Sequence, residues 1–269
     1  MELKKLDFAQ IVMDATNVNT WLFSVGQAGY IVKSKSGKLL GIDLYLSDYT
    51  ERDEGHVGFK RMLPKILGPE ELVFDCLIAT HEHSDHYDLD SMYDLMANNH
   101  TELYASVECK RLSEALGIDA KRCHYVHPGE QFDIEGFNVL FINCDHGTGA
   151  PDAVGVIVEV DGFRIIEVGD TCLRLDRKEE YLSKGDIDVL IAPINGAYGN
   201  LNEEDCARLS AALNPRLTIP CHYGMFASHY GLPGKFMEHM KRLCPNNHYL
   251  IMTQGESLEL TKTSNILLL

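Results

Sequence analysis

The stretch Thr80-His81-Glu82-His83-Ser84-Asp85-His86 is where this chain concentrates residues able to do chemistry. Imidazole and carboxylate are the usual protein ligands of zinc, manganese and iron. The stretch directly follows Cys76-Leu77-Ile78-Ala79, an apolar run that reads as a buried strand. In extended backbone the i and i+2 side chains share a face, so His81 and His83 are expected to grip one ion. Asp85 and His86, just past a turn, are placed to grip a second. A histidine-rich surface loop is the competing reading, and the position at the mouth of a strand favours metal.

Three further points carry ligand-type residues, each after a strand-like run: Asp145-His146-Gly147, Gly169-Asp170-Thr171 and Cys221-His222-Tyr223-Gly224. Side chains at the carboxyl ends of several strands of one sheet can converge. Asp43, which also ends a strand, is read either as a second partner for a ligand imidazole or as a turn residue. Asn195, before Gly196, is read either as a donor to the substrate or an oxyanion or as part of a turn. Cys144 would share a strand face with His146, as a soft ligand or as packing beneath the site. Arg61, Arg164 and Arg174 are the cations near these motifs, none in a phosphate-cradling glycine loop, and each is expected on the solvated surface.

The elements that must position these groups read as two halves. Strands are expected at 21–25, 30–33 and 38–43, with Ser36-Gly37 as a hairpin turn, and then a polar excursion from Ser47 to Glu71 containing one helical turn. Past the histidines come a helix over 88–96, a short strand over 103–106, and a helix from Val107 to Leu116 ended by Gly117. Strands follow at 131–134, 137–143, 153–160 and 163–168, the last two joined through Asp161-Gly162. Beyond Asp170, strands at 187–192 and 217–220 alternate with helices at 203–213 and 236–243, and short strands close the chain. Residues 1–20 show little pattern. No linker-like tract divides the halves, so residues 1–269 are read as a single α/β domain of two sheets with helices outside.

The order H-x-H-x-D-H, a lone His, G-D-T and a late His resembles the metallo-β-lactamase superfamily over nearly the whole chain. The resemblance implies a four-layer αββα sandwich, two mixed β-sheets flanked by helices, and two divalent metal ions, zinc or manganese. One ion would take His81, His83 and His146, the other Asp85, His86 and His222, with Asp170 bridging them. Flavodiiron oxygen reductases of that fold place a glutamate where this chain has His83, which disfavours a redox role. A finer similarity is to the branch that includes L-ascorbate-6-phosphate lactonase, carried by Gly26-Gln27-Ala28-Gly29-Tyr30, Ile42 to Asp48, Ala192 to Gly196 and Ile219 to Phe226. The function so implied is a metallohydrolase using a metal-bridging hydroxide on a lactone or related small ester or amide, such as a sugar-acid phosphate lactone. Asp85 would orient the water or receive its proton, and Asn195 would serve the oxyanion. A phosphodiesterase with the same metals and a non-catalytic binding relative are the rival readings.

Composition narrows the partners. With 40 acidic and 24 basic residues in 269, the formal charge of −16 repels phosphate backbones and argues against nucleic acid. No run reaches the roughly 18 apolar residues of a membrane span. Met1 to Asp7 lacks the apolar core of a signal peptide, so a cytoplasmic location is expected. A small-molecule substrate is the expected partner, and a homo-oligomer is compatible with the chain. The eight cysteines include no C-x-x-C pair and are expected to be free and mostly buried.

Overall fold

The computed structural model describes residues 7–262 and the backbone of 267–268. Met1 to Leu6, read above for a targeting signal, lies outside them. The first half of the chain forms β1 (Thr20–Gly26), β2 (Gly29–Lys33), β3 (Leu39–Ile42), β4 (Cys76–Ala79), β5 (Glu102–Ser106) and β6 (Cys123–Val126). The second forms β7 (Gln131–Ile134), β8 (Phe137–Asn143), β9 (Val154–Val160), β10 (Phe163–Glu167), β11 (Val189–Pro193) and β12 (Leu217–Cys221). The chain then crosses back through β13 (Ser257–Leu260) and β14 (Leu267–Leu268), so the first sheet runs β14-β13-β1-β2-β3-β4-β5-β6 and the second β12-β11-β10-β9-β8-β7.

Alternation along the strands builds the layers. Leu22 of β1 and Val154, Val156 and Val158 of β9 face the space between the sheets. Trp21, Phe23 and Val25 point the other way, onto α1 (Phe8–Asp14) and α3 (Leu89–Leu95). On the outer face of the second sheet, Ile157, Ile166 and Leu190 pack with α6 (Glu203–Leu213) and α7 (Pro233–Leu243). Three shorter helices, α2 (Tyr49–Glu54), α4 (Lys110–Ala115) and α5 (Lys178–Tyr181), lie in the connections. The order is helix, sheet, sheet, helix, the αββα sandwich expected above. No described helix is long and apolar enough to cross a membrane, and all eight cysteines are free, all but Cys172 buried.

Strand direction gathers the ligand-bearing loops. β3, β4, β5 and β6 pair in parallel, as do β10, β11 and β12. β8 reaches β10 through two antiparallel steps and so runs the same way. The carboxyl ends that lead into Asp43, His81, His146, Asp170 and His222 therefore open on one edge of the sandwich. The amide of Val154 donates to Thr80 O at 3.0 Å and pins the two sheets together there.

Three elements were not legible in sequence: β6, α1 and the single turn of α5. Cys123-His124-Tyr125-Val126 is too short and polar to announce itself, and it becomes β6 by parallel pairing with β5. Residues 8–14 form α1, capped by the Asp7 side chain and buried through Phe8, Ala9 and Val12. Its seven residues would be marginal alone and owe their helix to the sheet they cover. Phe141 is fully buried between the sheets. Phe141→Ala should cost about 3–5 kcal/mol of stability in denaturant unfolding, with metal loading of the folded fraction retained.

Candidate metal centre

The loop after β4 is a series of bends and turns, not the extended backbone expected above. The amides of His86 and Tyr87 both donate to His83 O, at 2.9 and 2.7 Å. This turn folds Asp85 and His86 back beside His83, and residues 81–83 are bent rather than pleated. His81 Nε2 lies 2.9 Å from His83 Nδ1, and His146 Nε2 lies 3.1 Å from the same atom. On the other side His86 Nε2 and His222 Nε2 are 3.3 Å apart, and His222 Nε2 is 3.3 Å from Asp85 Oδ2. Asp170 Oδ2 sits between the groups, 3.1 Å from His222 Nε2, 3.5 Å from His86 Nε2 and 3.8 Å from His146 Nε2.

The outer ring atoms fix which nitrogen turns inward. Asp43 Oδ2 accepts from His86 Nδ1 at 2.6 Å and from the Thr80 hydroxyl at 2.6 Å, and its Oδ1 accepts from the Thr80 amide at 2.8 Å. His81 Nδ1 in turn donates to Thr80 Oγ1 at 3.1 Å. In the neutral form of each ring, Nε2 is thereby the acceptor that faces the cluster. His146 Nδ1 is buried without a partner, so its ring is held from the cluster side alone. Glu82, between the first two histidines, turns away to an ion pair with Arg111 at 2.8 Å.

Acceptor atoms packed this closely repel one another unless protons or a cation lie between them. Burial holds His81 well below the ordinary imidazole pKa and brings His146 down to about 4. Burial also opposes charge on His222, but Asp170 and Asp85 outweigh it and carry the pKa up to about 9. His86 is raised by its carboxylate neighbours against the same burial. Burial would raise Asp85 and Asp170, yet the charges of His86 and His222 keep both well below the usual carboxylate range. The donor set, five imidazoles and two carboxylates in three overlapping triads, fits divalent metal.

A cavity of about 380 Å³ opens above this cluster. His83, Asp85, His146, Asp170 and His222 form its floor, and Glu54, Val57, Phe59, Tyr198 and His229 its walls. Those walls belong to the Ser47–Glu71 excursion and to the stretches after β11 and β12. In sequence, Tyr223, His229 and Tyr230 are candidates to line the pocket, with His229 read as an ordinary polar residue rather than a catalyst; of the three only His229 lines this cavity. Here its ring stacks on His222, with centroids 4.9 Å apart, and Gln27 Nε2 donates to its Nδ1 at 3.1 Å. The same Gln27 nitrogen donates to Asp85 Oδ2 at 2.7 Å.

Asn195 is 1% exposed and does not line the cavity. Its Oδ1 accepts from Asn200 Nδ2 at 3.1 Å, and that amide also donates to Asp170 Oδ2 at 2.8 Å. It therefore stands one residue behind Asp170, where it supports Asn200. Cys144 donates its thiol to Asp170 O at 3.1 Å and belongs to none of the ligand triads. Arg61 and Arg164 are buried, against the surface position expected. Arg61 donates to Leu63 O and Ser47 O and lies over Tyr45, while Arg164 takes Glu159 and Lys184 O. Oxygen acceptors and, for Arg61, a ring face meet most of these donors and offset the burial, though Arg164 Nη1 is left without a partner.

Two β-sheets face to face, helices outside, and an H-x-H-x-D-H loop at the carboxyl edge define a metallo-β-lactamase fold. The chain belongs to the β-lactamase superfamily, whose domain model matches residues 22–222. It is 27% identical over 261 residues to a UPF0173 metal-dependent hydrolase of Polynucleobacter asymbioticus, covering 89% of this chain and 86% of that one. A namesake from Enterococcus faecalis is 30% identical over 173 residues, covering 61% and 74%. Among solved structures, Igni18, a metallo hydrolase from Ignicoccus hospitalis, superposes with a TM-score of 0.71 at 19% identity, over 91% of this chain and 100% of that one. The isothiocyanate hydrolase from Delia radicum gut bacteria also gives 0.71, at 18% identity, over 88% and 98%.

Two outcomes are expected. Asp43→Asn should weaken metal affinity about 10–100-fold while leaving every ligand in place, as measured by chelator competition. A protonated imidazole cannot ligate, so a cation entering at pH 7 must displace protons from His86 and His222. Affinity should therefore rise as pH climbs from 7 toward about 9, with about one to two protons released on binding at pH 7. Calorimetry in buffers of differing ionisation heat measures both.

Proposed function

We propose that this protein is a metal-dependent hydrolase with two divalent ions, zinc or manganese, acting on a lactone or a related small ester or amide. The observation carrying this reading is the position of Asp170 Oδ2 within 3.8 Å of His146 on one side and of His86 and His222 on the other. His81, His83 and His146 would hold one ion, Asp85, His86 and His222 the other, and Asp170 would serve both. Bound divalent ions supply Lewis acidity, which makes hydroxide available near neutral pH and polarises an acyl oxygen.

The chain's own groups do the rest. Asp85 lies on the cavity floor with Oδ2 held by Gln27, where it would orient the attacking water or receive its proton. His229 accepts from Gln27 at Nδ1, so its own proton sits on Nε2, and burial brings its pKa down to about 4. It is neutral at pH 7 and available as a hydrogen-bond donor to a substrate oxygen. A cavity of about 380 Å³ suits a compact substrate, and its curved floor of ligands leaves room for an acyl group beside them. The names of the UPF0173 relatives support the hydrolase class.

His83→Ala should lose metal, read by elemental analysis, and at least about a hundredfold of lactone hydrolysis with the fold intact by circular dichroism. Retention of both metal and activity would refute the proposal. Turnover of bis-p-nitrophenyl phosphate without any turnover of γ-lactones or aryl esters would instead assign the site to phosphodiester cleavage.

A further inference from the structure

The floor of the cavity is common to any site with these ligands, and its walls differ in kind. Glu54 is the sole charged side chain of the wall, and among the described residues its carboxylate has no hydrogen-bond or ion-pair partner. The cations around it serve other acids: Arg52 takes Asp90 and Asp53, Lys60 takes Glu51, and Lys65 takes Asp48. Glu54 lines the same cavity as Asp85 and His83 and faces the Asp85 carboxylate across the opening.

Beside it stands a wall of rings. Phe59 lies 5.2 Å from His229 and 5.7 Å from Tyr198, centroid to centroid, and Tyr198 lies 5.9 Å from His229. Tyr198 is 58% exposed yet held in a left-handed turn, φ 56°, before Gly199, so the ring is presented rather than buried. Aromatic faces carry negative potential and attract cations. No lysine or arginine lines the cavity. Arg174, a candidate phosphate holder in sequence, is paired with Asp145 and Asp176.

Resting on the hydrolase reading above, we propose that Glu54 with Phe59, Tyr198 and His229 forms the specificity wall. It accepts a substrate whose remote part is flat and uncharged or cationic, and it turns away one whose remote part is an anion such as a phosphate or carboxylate. The charge of bound ions serves the reacting group on the floor. A second anion farther out meets only Glu54 and ring faces. A sugar-acid phosphate lactone is thereby disfavoured as the substrate.

Hydroxamates provide the test, because they bind a metal pair without being turned over. Calorimetry on the metal-loaded protein would compare benzohydroxamate carrying a 4-aminomethyl, a 4-hydrogen or a 4-carboxylate group, with acetohydroxamate as the probe without a remote part. The aminomethyl probe should bind about three- to tenfold tighter than the carboxylate probe, the range of a partly screened charge and a ring contact. Glu54→Gln should collapse that ratio and Glu54→Lys invert it, each ratio being internal to one variant. Phe59→Leu should weaken the aryl probes relative to acetohydroxamate. A carboxylate probe that binds as tightly as the aminomethyl one, or a ratio unmoved in Glu54→Gln, overturns the specificity wall and leaves the hydrolase reading standing. Failure of acetohydroxamate to bind the wild-type protein would overturn the metal-centre reading and this inference with it.

Discussion

Everything at the working edge answers to one constraint: seven acceptor-bearing side chains, all but His83 buried, are forced together, and their lone pairs repel. A cation relieves that repulsion, but only if each ring presents the correct nitrogen. Asp43 enforces this from behind, taking the Nδ1 proton of His86 directly and that of His81 through the Thr80 hydroxyl. A fully buried carboxylate is costly unless paired and hydrogen-bonded. Asp43 is both, and the same bonds that satisfy it orient two ligands and close the loop onto β4.

The sandwich meets this demand through strand direction and a few backbone bonds. Parallel pairing aligns the carboxyl ends within each sheet. The loops are then tied to one another: His222 N donates to Gln27 O at 2.9 Å, Cys172 N to Asp145 O at 3.0 Å, and Leu201 N to Thr171 O at 2.8 Å. Local backbone strain completes the aim. His222 adopts φ 61°, a left-handed conformation that costs a non-glycine residue about 1–3 kcal/mol, and this turns its ring out of β12 toward Asp170. Gly169, at φ 67°, must be glycine, because a Cβ there would lie 2.8 Å from Val154 O. Asp170 can sit between the two triads only because the residue before it has no side chain.

Floor and wall answer to different physics. The floor is dense, buried and held by hydrogen bonds in two tiers, with Gln27, Asn200 and Thr80 behind the ligands. The wall is half-open and built from a short helix, a turn and a loop, where side chains can change without disturbing a strand. One fold can host different reactions when the side chains that meet the substrate sit on such a wall. The acidic surplus of the whole chain and the bare Glu54 act in the same direction on an approaching ligand.

Residue types and spacing in the sequence by themselves picked out the clustered imidazoles and carboxylates, the long strands and the two-sheet plan. Imidazoles and carboxylates at strand ends are a local signal, and period-two burial is written into each strand, as in Val154, Val156 and Val158. Tertiary structure alone decided what depends on neighbours distant in sequence. β6 exists because β5 is beside it, and α1 because the sheet is beneath it. Asn195 moved from substrate to support because Asn200 stands between it and Asp170. Gln27, Asn200 and His229 carry no spacing signal, since a second partner is defined by where its ring or carboxylate ends up in space. The turn that folds Asp85 and His86 back beside His83 is likewise set by bonds from His86 and Tyr87 to His83 O, a geometry that adjacency in sequence permits without specifying.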